Sequence, residues 1–91
     1  MNKIQELHQK VLQEFPNAQI VLEDNVGAVH PDKCPWFLIM SLNKKTLGVE
    51  WRPDHPNTLS FCNCGIFGCS GDITCHDLKD AIEIIRFCLK A

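Results

Sequence analysis

No stretch of this sequence approaches the roughly 20 consecutive apolar residues that a bilayer-spanning helix needs, and the longest pure run is Trp36 to Met40. The chain therefore reads as soluble, with no membrane partner. It also lacks an excess of either charge: nine Lys and Arg against eleven Asp and Glu leave a net charge of −2. Without a run of like charge there is no basic stripe to follow a phosphate backbone, which argues against direct nucleic-acid binding. A Gly-rich phosphate loop is missing too. The segment Cys64-Gly65-Ile66-Phe67-Gly68-Cys69-Ser70-Gly71 has no Lys and does not run straight into a helix, so its glycines read as permitting a tight turn. The opening, Met1 to Leu7, breaks every apolar stretch with polar residues and carries no secretory core, so the expected location is the cytoplasm. No internal repeat, linker or low-complexity tract interrupts the 91 residues.

What is present fits one domain, residues 1–91. A chain this short hides only about two-thirds of the surface that its unfolded form exposes, enough for a single core. A hydrophobic share of 45% with 22% charged residues lies in the ordinary globular range. Ile4, Leu7, His8, Val11, Leu12 and Phe15 form one helical stripe, and Asn2 with Gln5 makes a capping box. Pro16 biases Phe15 away from helical angles, so the helix should run from about residue 3 to 14.

Ala18 to Glu23 reads as a short strand and 24 to 35, with Gly27, Pro31 and Pro35, as a loop. Trp36 to Leu42 and Lys45 to Arg52 make a β-hairpin around Asn43-Lys44. After a break from Pro53 to Pro56, Thr58 to Asn63 alternates as a further strand, and a cysteine- and glycine-rich loop is expected over 64 to 73. Leu78, Ala81, Ile82, Ile85, Cys88 and Leu89 mark a last amphipathic helix, with Thr74 and Asp77 as its capping box. The pattern predicts an α+β fold in the order α-β-β-β-β-α. Its antiparallel three- to four-stranded sheet carries the N-terminal and C-terminal helices on one face.

Two features could carry function. The first is Cys62-x-Cys64-x4-Cys69-x5-Cys75-His76. Six cysteines without a secretory signal favour free thiols over disulfides. The simplest reading is small hydrophobes in a crowded turn. A second reading is tetrahedral zinc on Cys62, Cys64, Cys69 and Cys75, the one cofactor that the residues suggest, although their spacing is not that of a zinc knuckle. A redox pair, or a catalytic cysteine served by His55 or His76, are further alternatives. The latter has no signalled third group to orient its base.

The second feature is the sheet face turned away from the helices. If Leu47, Val49 and Trp51 point inward, Thr46, Gly48, Glu50 and Arg52 point outward beside Phe37 and Ile39; the opposite parity on the neighbouring strand would expose Trp36, Leu38 and Met40 instead. An apolar pair amid polar groups suits a partner protein or a homodimer. Glu23, Asp24, Asp32, Glu50, Asp54 and Asp72 could add a negative surface for a basic partner, or be ordinary solvated charges. The expected partner-binding residues are Phe37, Glu50, Arg52 and Asp54.

Trp36-Phe37-Leu38 opening one strand and Val49-Glu50-Trp51-Arg52-Pro53 closing the next resemble small bacterial proteins of the toxin-immunity or antitoxin kind, over roughly residues 35 to 87. Those proteins continue with a glycine-rich strand where this chain has Asp54-His55-Pro56-Asn57. Phage-encoded inhibitors of bacterial defence complexes are similar in size, acidity and lack of catalytic residues. The resemblance implies a non-catalytic cytoplasmic inhibitor that covers the working surface of a toxin, nuclease or defence complex.

Overall fold

A computed structural model of the chain describes residues 2–25, 27–63 and 68–90, with 62–63, 68–72 and 90 described by backbone alone. The N-terminal helix α1 (Lys3–Glu14) begins at the expected capping box, with Asn2 Oδ1 accepting from the Gln5 N–H and Gln5 Oε1 from the Asn2 N–H, both at 2.9 Å. It ends before Phe15, whose side chain turns into the core. Ile4, Leu7 and Val11 are buried, whereas Leu12, which belongs to the same sequence stripe, is 45% exposed. The buried stripe is thus narrower than the sequence pattern.

Five strands follow: β1 (Gln19–Glu23), β2 (Trp36–Leu42), β3 (Lys45–Arg52), β4 (His55–Asn63) and β5 (Gly68–Cys75). They form one antiparallel sheet in the order β1-β2-β3-β4-β5, and α2 (Leu78–Lys90) closes the chain. The fold is α+β: in chain order an N-terminal helix, a five-stranded antiparallel sheet and a C-terminal helix. The Asn43-Lys44 turn joins β2 to β3 with positive φ at both residues, 53° and 67°. That is the twist a two-residue hairpin turn requires.

Strand β1 begins one residue later than the sequence pattern, at Gln19 instead of Ala18, and three boundaries differ by more. Residues 68 to 75, expected mainly as loop, are strand β5, because a paired neighbour supplies the ladder that Gly68, Ser70 and Gly71 do not favour by themselves. Strand β4 starts at His55 instead of Thr58. The register shifts between Trp51 and Arg52, and this irregularity takes up Pro56, whose carbonyl accepts a 2.9 Å hydrogen bond from Trp51 Nε1. The cap of α2 is Asp77, not Thr74: Asp77 Oδ1 accepts from the Asp80 N–H at 2.8 Å, and Thr74 lies within β5.

One core cluster joins α1 and α2 to a single face of the sheet: Leu38 and Met40 of β2, Leu47, Val49 and Trp51 of β3, Leu59 and Phe61 of β4, and Cys75 of β5. Trp36 and Trp51 meet edge to face at 5.6 Å between ring centres. The helices are tied to each other by Arg86, whose Nη2 and Nε lie 2.6 and 2.7 Å from Glu14 Oε1. Among the described residues no helix is long and apolar enough to cross a membrane.

Candidate partner-binding surface

Antiparallel pairing places side chains of neighbouring strands in rows across the sheet, and parity along each strand decides which face a row occupies. Leu38 and Met40 are fully buried, so Phe37 and Ile39 face outward, the latter 36% exposed. The reverse parity, with Leu38 and Met40 outside, is not what forms. Trp36 is half-buried against the core.

The outer rows follow from the register. Glu23, Phe37, Glu50, Ser60 and Thr74 lie in one row across all five strands. Phe37 is thus flanked by a carboxylate on each neighbouring strand. In the next row Val21 and Ile39 stand beside Gly48, which presents no side chain, so the apolar pair meets bare backbone on that side. In the third row Gln19 lies beside Ser41 and Thr46, whose hydroxyl oxygens are 3.2 Å apart.

At the end of β3 this surface turns the corner. Arg52 Nε donates to Asp54 Oδ1 at 3.1 Å across the tight turn into β4. Asp54 is exposed, and its hydrogen bond from Arg52 holds its carboxyl below the usual carboxylate value. Phe37 and Glu50 are brought together by direct pairing, Arg52 and Asp54 by their ion pair, and Glu50 and Arg52 by β3 itself. Phe37 and Glu50 thus share an outer row, with Arg52 two residues further along β3 and Asp54 in the turn that follows. Of the other acidic residues, Glu23 joins the Phe37 row, whereas Asp32 is exposed within the 24–35 loop and Asp72 lies outside the described side chains. Sequence reasoning missed Val21. It becomes part of the surface through pairing with Ile39, and a residue on a separate strand gives no local sign of that neighbour.

The cysteine cluster is described in part. Cys64 and the side chains of Cys62 and Cys69 lie outside the described residues. Cys75 is 7% exposed within the core, with its Sγ 3.7 Å from the Asp77 carbonyl oxygen. Burial pushes its thiol above the ordinary value, with Asp80 and Asp77 adding to the rise. His76, next in sequence, is exposed, with its Nδ1 3.1 Å from the Asn57 carbonyl oxygen and 3.5 Å from Thr58 Oγ1. The imidazole is thereby engaged at the β4 end. His55 is exposed at the start of β4. Cys34 is half-buried in the loop before β2, and Cys88 is buried on α2.

No protein-family model matches the chain, and neither a curated protein nor a solved structure shows significant similarity to it.

Proposed function

We propose that this chain is a non-catalytic protein-binding inhibitor that acts in the cytoplasm. It occludes the working surface of a macromolecular partner such as a toxin, nuclease or defence complex. The observation that carries the proposal is the outer row in which Phe37 stands between Glu23 and Glu50, with Ile39 and Val21 in the adjoining row. An aromatic anchor flanked by two carboxylates and backed by exposed aliphatic groups suits an apolar contact bordered by basic side chains on a partner protein. Arg52 and Asp54 extend that surface with a polar pair at the rim.

The test is affinity capture from the source cell's lysate at moderate salt. The tagged chain is compared with Phe37→Ala, with the charge reversals Glu50→Lys and Asp54→Lys, and with Val29→Lys, a change at a position 88% exposed in the 24–35 loop and outside the rows above. A protein retained by the parent and by Val29→Lys, and lost from the three surface variants while their circular dichroism is unchanged, supports the proposal. Equal capture by all of them overturns this placement of the interface.

A further inference from the structure

The sheet has two edges, and the β1 edge carries apolar groups that are only partly covered. Val21, on the outer face of β1, is 55% exposed. On the inner face of the same strand Ile20 and Leu22 pack against the core yet stay half-buried, while inner positions of the central strands, such as Leu38 and Leu47, are fully buried. The core is therefore left open along this edge.

Helix α1 adds to the opening. Lys10 and Glu14 line the cleft between α1 and α2. At 3.6 residues per turn Leu12 lies about 160° around the axis from both of them, on the flank turned away from α2. Leu12 is 45% exposed.

We infer that β1 is a self-association edge, where two copies pair β1 to β1, antiparallel, about a two-fold axis at Val21. The sequence of the strand specifies the occupant. Gln19-Ile20-Val21-Leu22-Glu23 is symmetric in polarity about its centre. In this register Val21 meets Val21 of the second copy, Ile20 meets Leu22, and Glu23 meets Gln19, so no like charges are opposed. Backbone groups on the free side of β1 gain partners, and the exposed apolar groups on both of its faces are covered.

The opposite edge is a poorer match to itself. The cleft beside β5 has apolar groups as well, Ile84 and Phe87, but Asp80 and Glu83 of α2 stand among them, and a two-fold axis there would bring these carboxylates towards their own copies. Pairing at β1 leaves the outer sheet face open and extends its apolar row through Ile39 and Val21 into the second copy. The inference is independent of any partner of that face.

Sedimentation of the full chain in the presence of a reductant, over a wide concentration range, reads the association directly. The expected result is a reversible monomer–dimer equilibrium. Val21→Lys, which opposes two ammonium groups at the axis, should leave only monomer, and Val29→Lys should change nothing. Charge at position 19 then reports the register. Gln19→Lys should tighten the dimer about fivefold, because it faces Glu23 twice per dimer, and Gln19→Glu should loosen it by a similar factor. A parent chain that stays monomeric at every concentration overturns the inference. So does a dimer that ignores Val21→Lys, or one that responds alike to both signs at position 19.

Discussion

Two adjacent rows of the same sheet, one residue apart along every strand, differ completely in character. Leu22, Leu38, Val49, Phe61 and Ile73 form a row on the inner face, every member apolar and packed in or against the core. Glu23, Phe37, Glu50, Ser60 and Thr74 form the neighbouring outer row, with one aromatic among charges and hydroxyls. The inner row satisfies the helices and fixes the register, since a slip of one residue would place carboxylates under α1 and α2. The outer row is free of that duty. Its composition can be set by recognition, and the two requirements share the strands without competing for positions.

The sharpest separation should be chemical accessibility. Cys75, on the inner face at the floor of the cleft beside β5, is 7% exposed, whereas Cys34 sits half-buried in the loop before β2. Peptide-resolved labelling at neutral pH should find Cys75 slower than Cys34 by on the order of a hundredfold or more. Comparable rates would mean that the inner face is not closed at the β5 end. The sign of the pH effect follows from the raised Cys75 value. Its contribution to stability is intact below the unfolded thiol's pKa and is lost as pH rises through that value towards the higher folded one.

Next in size is a pair of truncations at neighbouring positions. Leu38→Ala removes a fully buried side chain and should cost about 3 kcal/mol, whereas Ile39→Ala, on the open face, should cost less than about 1 kcal/mol. Urea denaturation of both variants measures the difference. Equal losses would show that the outer face is covered as firmly as the inner one.

A smaller effect belongs to Trp51, the inner residue that also fastens the β3–β4 irregularity. Trp51→Phe retains an aromatic ring against Trp36 and loses the hydrogen bond to the Pro56 carbonyl. A loss of about 1 kcal/mol is expected, the ordinary worth of such a hydrogen bond at an otherwise exposed residue. An unchanged midpoint would assign the local register shift to backbone pairing alone.

Much of this comparison is legible in the residues. The capping box at Asn2 and Gln5, the Asn43-Lys44 turn and the alternation of Leu47, Val49 and Trp51 are local signals, and each forms as its spacing indicates. Strand β5 is different: Gly68 and Gly71 favour turns, and only pairing with β4 makes the segment extended. The outward parity of Phe37 is likewise undecided within Trp36 to Met40, where every residue is apolar. It is settled by the helices, which bury Leu38 and Met40, and by cross-strand pairing to β3. Composition could also place Thr74 and Asp77 in one cap, but it could not foresee that Thr74 would be used by a strand.

The smallest effect is expected at the rim of the outer face. The Arg52–Asp54 pair is solvent-exposed on both sides, and its attraction is screened by water and salt. Asp54→Asn should therefore leave the denaturation midpoint at neutral pH unresolved from the parent's. A difference has to be sought in acid. With its folded pKa lowered by Arg52, Asp54 favours the folded state above the unfolded carboxylate's pKa, and that contribution fades as pH falls through the folded value. The parent should consequently show a slightly steeper acid loss than Asp54→Asn, and the difference should vanish in high salt. A large neutral-pH loss on Asp54→Asn would instead make the ion pair a structural clamp on the β3–β4 turn. The outer face would then share the stabilising duty that the comparison assigns to the inner one.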